Sequence, residues 1–511
     1  MKKFRLQLLR ISILFAFLGC TENKESQKSE IIAKEKQQYT KDWASLGHHN
    51  ESPEWFKNSK LGIYFHWGLY SVPAFSSEWY PRWMHFKDHE VYKHHIEKYG
   101  DPSEFGYHDF APMFKAEKFN ADEWAQLFKD AGAQFAGPVA EHHDGYAMWD
   151  SDITPWNTMD TGPKRDITGE LEKAIKGKGM KFITAFHHAK NLQRSNELGV
   201  ENPKSHYPYF EGMPPTSSDP DLQLMYGNME PEKWYKEVWL GKLKEVIDKY
   251  QPDIVWFDYV LGDIPEKYRK EFAAYYLNEA VKSDKEAVIV RKQHDLPLNM
   301  SVEDLEQARK NNIGTKTWMT DATISDGSWC YTADLGVKAA ADVLHMLIDI
   351  VSKNGVLLLN VSPKADGTIP DNQKDGILKM GAWLKQFGEA IYGTEAWYTF
   401  GEGPTKEPEG HFKNHKAFMK LKYSNKDIRY TTKGYTIYGI VLGAVEPDKE
   451  LLLEAFAKDK IHDAPSIEHV SFLGSDEEIE WSYNEEKGLS IKGPSTIIDT
   501  MATVLKVEIS Q

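Results

Sequence analysis

Eight short apolar runs recur between residues 61 and 362, at 61–67, 134–141, 181–188, 253–259, 287–293, 301–306, 315–320 and 355–362. Each is short, and the run at 253–257, DIVWF, is β-branched and aromatic and too brief for a helix, the texture of a strand buried on both faces. Between several of them the apolar spacing turns helical, most clearly at 121–131, 168–176, 231–250, 265–282 and 333–352. Asp122 and Glu123 near the start of the first helix, and Lys249 near the end of the third, suit the helix dipole. Gly132 supplies a stop. Strand–helix alternation predicts a parallel α/β sheet, and eight units predict its closure into a (β/α)8-like barrel. The sixth run is ambiguous, because VEDLEQARKN reads equally as the start of a helix.

After about residue 395 the texture changes. Short alternating or β-rich runs at 417–423, 434–442, 467–473, 489–491 and 505–509 are separated by Gly, Pro, Asn and Asp. They predict an antiparallel β domain, a β-sandwich. The expected division is therefore a barrel over 41–395 and a sandwich over 396–511, and 511 residues suit that pairing. Lys and Arg number 62 against 77 Asp and Glu, a formal charge of −15, which argues against nucleic acid as a partner.

The first 19 residues read as a targeting segment. Lys2, Lys3, Arg5 and Arg10 form a basic start, and 11–18 is an apolar core too short to span a bilayer. Gly19-Cys20 then resembles a bacterial lipoprotein signal, in which Cys20 becomes the lipidated first residue; an ordinary secretory signal is the alternative. Either way the protein is expected to be exported, to the periplasmic face or the outer surface, with membrane contact only through Cys20. Residues 20–40 are polar and lack apolar periodicity, as a tether does. Cys330 is the one other cysteine, so no internal disulfide is expected.

Chemistry gathers at the strand ends, where barrel enzymes place catalytic groups. The fourth run, PDIVWFD, ends on Asp258; the first ends Phe65-His66-Trp67, with Glu78-Trp79-Tyr80 in the following loop. The second ends Glu141-His142-His143-Asp144 and the third Phe186-His187-His188. These histidines could ligate a metal, hold sugar hydroxyls or act as bases. Because side chains alternate across a strand, only one of each adjacent pair is expected to point into the barrel, unless the loop at the tip bends.

YFHWGLYSVPA with EWY, then HHDGYAMWDS, VWFD and NGVLLLNVSPKADGTIP, in that order, resemble glycoside hydrolase family 29, the α-L-fucosidases. The resemblance covers roughly residues 40 to 400 and, more loosely, the β domain. It implies a retaining exo-glycosidase that needs no metal or other cofactor and takes a fucosylated glycan or polysaccharide. By it, Asp258 matches the nucleophile, His66, His142 and His143 match residues holding fucose hydroxyls, and Glu78 and Trp79 match the sugar-binding pair. Two departures stand out. His187 takes a position where many members have Tyr, and Val290-Arg291-Lys292-Gln293-His294-Asp295 lacks the common Asn-Asp-Arg form. The acid/base is sought among Glu303, Asp304 and Glu306, with Glu306 favoured and Glu303 second. Trp318, beside Ser328-Trp329, is the candidate for the apolar C5-methyl side of the sugar.

A retaining enzyme needs an ionised nucleophile and a carboxylic acid ~5–5.5 Å away. Other readings stay open: an α-L-galactosidase of the same family, a metal-dependent hydrolase using the histidines, or an inert glycan-binding lipoprotein.

Overall fold

A computed structural model describes residues 38–510 other than 194–204, 293, 407, 409–416, 419 and 459–465. The proposed signal, Cys20 and most of the tether lie outside the described residues.

Eight parallel strands close into a barrel in sequence order. They are β1 (Leu61–Phe65), β2 (Phe135–Glu141), β3 (Lys181–Phe186), β4 (Ile254–Phe257), β5 (Val288–Arg291), β6 (Val302–Asp304), β7 (Trp318–Thr323) and β8 (Gly355–Val361). The sixth run is thus a strand, although only three residues long. Among the described residues the helices of ten residues or more are α1 (Ala121–Asp130), α2 (Ile167–Gly177), α3 (Leu240–Tyr250), α4 (Glu266–Lys282), α5 (Ala340–Val351) and α6 (Asp371–Phe387). Among the described residues no helix separates β5 from β6 or β6 from β7, so the alternation is incomplete there.

Local chemistry explains the boundaries. Asn120 caps α1 by accepting from the amides of Asp122 and Glu123 at 3.1 and 3.3 Å, which satisfies donors left over at a helix start. The helix expected over 231–250 is interrupted: Trp234–Trp239 is wound as a wider π-type segment before α3 begins. The helix expected from 333 begins only at Ala340.

Period-two alternation sorts the strand residues into two layers. Tyr64, Val139, Ala185, Trp256, Val290, Val302, Met319 and Leu358 fill the barrel interior. Ile63, Phe65, Ala136, Phe182, Val255, Ile289 and Leu357 pack outward in the larger core with the helices.

Behind the barrel stand two antiparallel sheets. The larger has the order β13-β16-β11-β10-β9 and the smaller β12-β15-β14, from β9 (Glu395–Glu402), β10 (Ile428–Lys433), β11 (Thr436–Val441), β12 (Glu450–Leu453), β13 (Ile467–Phe472), β14 (Trp481–Asn484), β15 (Gly488–Lys492) and β16 (Thr503–Ile509). Tyr430, Val507, Leu453 and Ile491 meet between them in one core, so the pair is a sandwich. Among its described residues the run at 417–423 forms no strand. Phe418 is buried and Tyr423 half-buried against the barrel, and both meet Arg309. Its apolar spacing serves packing on the barrel rather than a sheet.

Candidate active site

Continuing the interior alternation two residues beyond each strand's last interior position names the floor of the site. Tyr64 leads to His66, Ala185 to His187, Trp256 to Asp258, Val290 to Lys292, Val302 to Asp304, Met319 to Asp321 and Leu358 to Asn360. All seven are buried. β2 breaks the rule usefully. Its pairing with β3 shifts register between Val139 and Glu141, a bulge that re-aims the side chains after it. Glu141 therefore faces outward to Lys242 on α3 at 2.8 Å, while His142 and His143 both reach the mouth. His142 lies 4.6 Å from His187 between ring centres, and His143 Nε2 lies 3.2 Å from Asp258 Oδ2. In the pair on β3 the alternation holds: His188 turns outward and stacks on Trp239.

Asp258 is surrounded by donors. Lys292 Nζ stands 2.8 Å from Oδ1, and His187 Nδ1 3.2 Å from Oδ2. Burial alone would raise this carboxyl, but the Lys292 ammonium, then His187 and His143, outweigh it and hold Asp258 well below its ordinary value. Asp258 is therefore ionised. The same ammonium lies 3.3 Å from Glu306 Oε2 and 3.4 Å from Asp321 Oδ2. Burial raises Glu306; Lys292 pulls it back, and the Asp321 and Asp258 charges push it up again, so it sits above the ordinary glutamate range. Burial, followed by Asp321, likewise pushes Asp304 well up. Two carboxyls of opposite protonation preference thus share one lysine.

The pocket wall follows from further fixed contacts. His66 Nδ1 and its backbone amide both donate to Asn360 Oδ1, at 2.9 and 3.0 Å, and Asn360 Nδ2 donates to the Trp329 carbonyl at 2.7 Å. With Nδ1 committed as donor, and burial holding the ring's pKa well below its usual value, Nε2 of the neutral ring can only accept. Glu78 accepts from the Trp329 amide at 3.3 Å and Ser328 Oγ at 3.2 Å, and burial raises its pKa. Trp79 meets His143 at 5.4 Å.

The structure thus brings together Asp258, Glu306, His66, Glu78, Trp79, His142, His143 and His187. Trp318 is not among them. It opens β7 at the far end of the barrel, fully buried, with Nε1 donating to the Lys353 carbonyl at 2.8 Å; the indole that faces His66, at 5.3 Å, is Trp329. Glu303, the second acid/base candidate, lies on the outer face of β6 and pairs with Lys310 at 3.1 Å. Asp304 points inward and is wholly buried beneath the site. Sequence reasoning did not single out Lys292, Asp321 or Asn360 as functional, yet the two-residue step from each buried interior position would have reached them.

Among the described residues two groups could hold a metal ion by spacing: His66, His142 and His187, and His143, His187 and Asp258, with ligand atoms within 4.8 Å of one another in each. Neutral imidazoles suit zinc-like ions. Next to Asp258, however, Lys292 already supplies a positive charge at contact distance.

Comparison with known proteins gives the family. The family model for α-L-fucosidase matches residues 26–389. Human plasma α-L-fucosidase is 28% identical over 475 residues, covering 90% of this chain and 89% of the relative. The bovine tissue enzyme is 27% identical over 463 residues, 89% and 86% of the two chains. The crystal structure of Thermotoga maritima α-fucosidase in complex with fucose superposes with a TM-score of 0.71 at 29% identity, covering 92% of this chain and all of the other. The protein belongs to the α-L-fucosidase family of glycoside hydrolases.

Proposed function

We propose that the protein is a retaining exo-α-L-fucosidase that removes terminal α-L-fucose from glycans through an ester on Asp258, with Glu306 as acid/base. The observation that carries this reading is the lysine shared by the two carboxyls. Lys292 contacts Asp258 at 2.8 Å and Glu306 at 3.3 Å. Two contacts to one nitrogen cap the separation of the facing oxygens at the sum of the two lengths, which is short of the ~6.5–9.5 Å an inverting pair needs and admits the ~5–5.5 Å of a retaining pair.

In the first step an Asp258 oxygen attacks the anomeric carbon, and the Glu306 carboxyl gives its proton to the departing glycosidic oxygen. Negative charge leaves Asp258, now an ester, and appears on Glu306. Because Lys292 touches both, its ion pair moves with the charge and is not lost. In the second step the Glu306 carboxylate takes a proton from water, which attacks the anomeric carbon and frees Asp258. His66 Nε2, His142 and Glu78 are placed to take sugar hydroxyls, and Trp329 offers an aromatic face. Export as a lipoprotein anchored at Cys20, with the barrel over 41–395 as the catalytic unit, completes the proposal.

The test is turnover of 4-nitrophenyl α-L-fucoside by protein lacking residues 1–20. Wild type is expected to be active and insensitive to EDTA. Asp258→Asn should lose ~10³-fold or more in kcat/KM, and Glu306→Gln ~10²–10⁴-fold with recovery in azide. Full activity in Asp258→Asn would refute the assignment. Preference for the α-L-galactoside would change the sugar but not the mechanism, and EDTA-sensitive turnover would return the histidines to metal chemistry.

A further inference from the structure

Beneath Lys292 two carboxyls meet inside the barrel with too few donors to serve both. Asp304 ends β6 opposite Met319 on β7, and the next interior side chain along β7 is Asp321. Both are buried, Asp304 at 0% exposure, and the two carboxyls meet at hydrogen-bonding range. Asp321 Oδ2 accepts from the Tyr64 hydroxyl at 2.9 Å and from Lys292 Nζ at 3.4 Å. Among the described residues no N–H or O–H donates to either oxygen of Asp304, nor to Asp321 Oδ1.

A carboxylate without a donor is costly to bury, and two in contact cannot both ionise where water is excluded. One proton between them answers both difficulties: Asp304 becomes the donor, and Asp321 accepts. Little else can neutralise the pair. The titratable groups facing it are Tyr64 on β1, Lys292 beyond β5 and Glu306 beyond β6, with Asp258 across Lys292; β8 sets the apolar Leu358 opposite Asp321. Lys292 is the one cation among these groups, and its ammonium already meets Asp258 at 2.8 Å and Glu306 at 3.3 Å. Burial, then the Asp321 charge, holds Asp304 well above the ordinary aspartate range, in agreement with this placing of the proton.

We infer that Asp304 and Asp321 share one proton and act together as a positioning pair, whose single negative charge beneath Lys292 holds the ammonium between Asp258 and Glu306. The inference rests on the fucosidase reading above, which makes Glu306 the acid. One charge is the useful number. With none, Lys292 would have no anchor below, and Glu306 would lose the Asp321 charge that helps to keep its proton on. With two, the ammonium would be drawn down and away from the nucleophile. The shared proton sets the charge at one, and the Tyr64 hydroxyl fixes it on the Asp321 side.

The shared proton is tested by melting wild type and Asp304→Asn between about pH 5 and about pH 8. An unfolded Asp ionises near ~4, so wild type takes up a proton at Asp304 on folding and loses stability as pH rises through this window. The amide can still donate to Asp321 but holds no titrating proton. The variant's melting temperature minus that of wild type should therefore rise by about 2 °C or more from the lower pH to the higher; Glu306 is present in both and cancels. A difference that stays flat or falls, or an amide variant that does not fold, would overturn the shared proton. The role of the charge is tested on 4-nitrophenyl α-L-fucoside by adding Asp321→Asn to Asp304→Asn, which takes the last charge from the pair. Against the single variant, kcat should fall at least about tenfold with KM little changed. The alkaline limb of the kcat/KM profile should move to lower pH, because nothing below then pushes Glu306 up. An unmoved limb with unchanged kcat would show that the pair only packs, and would leave the fucosidase reading standing. A wild type silent on fucosides would overturn that reading and the role of the charge together, while the melting comparison would still decide the shared proton.

Discussion

At the scale of single residues, the decisive group is Lys292, the sole described lysine in contact with Asp258. Its charge lowers both Asp258 and Glu306, so removing it has a definite sign. In Lys292→Met both carboxyls rise. In the mechanism proposed above, Asp258 acts only when ionised, above its pKa, and Glu306 only when protonated, below its own, so both limbs of the bell-shaped kcat/KM profile should move to higher pH. The maximum should fall by ~10²-fold or more, as when a preorganised charge is deleted from an active site. A profile of reduced height but unmoved limbs would show that the ammonium only packs. The family motifs led to Asp258 and the histidines, because those residues stand in recognisable strings. Lys292 stands in the stretch where the family pattern is missing, and its importance comes from three contacts to residues distant in sequence. Trp318 and Trp329 show the opposite difficulty: two indoles close in sequence occupy opposite ends of one barrel, and composition cannot tell which is which.

At the scale of the element, β2 has a position where only glycine fits. A side chain at Gly137 would place its first carbon 1.8 Å from the backbone carbonyl of Ile183 on β3. That approach precedes the bulge that turns His142 and His143 together into the mouth. Gly137→Ala should therefore part β2 from β3, cost about 1–3 kcal/mol in a urea melt, and lower turnover, because His142, His143 and His187 leave from these two strands. Normal stability and activity in that variant would mean the strands accommodate the methyl by sliding. The strands themselves were legible as apolar runs, with ends off by up to three residues, as in β7. The helical gaps at β5–β6–β7 were not read, since alternation established over most of a chain invites its extension to the rest. The bulge left no mark that a period-two reading could detect.

At the scale of the whole molecule, barrel and sandwich are joined through a buried carboxylate. Asp349 on α5 lies 2.6 Å from Arg429 on β10, 2.9 Å from Lys353 and 3.3 Å from Arg309. Asp349→Ala would leave these cations without that partner in a site from which water is excluded, at an expected cost of ~3–5 kcal/mol. Calorimetry should show a lower first transition, and separate melting of the two parts would identify the joint. An unchanged melting curve would place the cohesion elsewhere, for example at the Trp383 indole donating to the Ala502 carbonyl. The β-rich texture after residue 395 announced the sandwich, but four of its strands were not read: β12 and β14 are only four residues long, β9 buries none of its residues fully, and β10 is buried at four positions in a row, so neither of the longer two shows an alternation of buried and exposed residues. Arg82 has a consequence for how such a protein can change over time. One guanidinium sets the gap between two loops and also lies over Trp79 at the sugar pocket. The placing of Trp79 beside His143 and the spacing of the loops after β1 and β3 are therefore one inherited trait, and a lineage that altered Arg82 would change both in the same step.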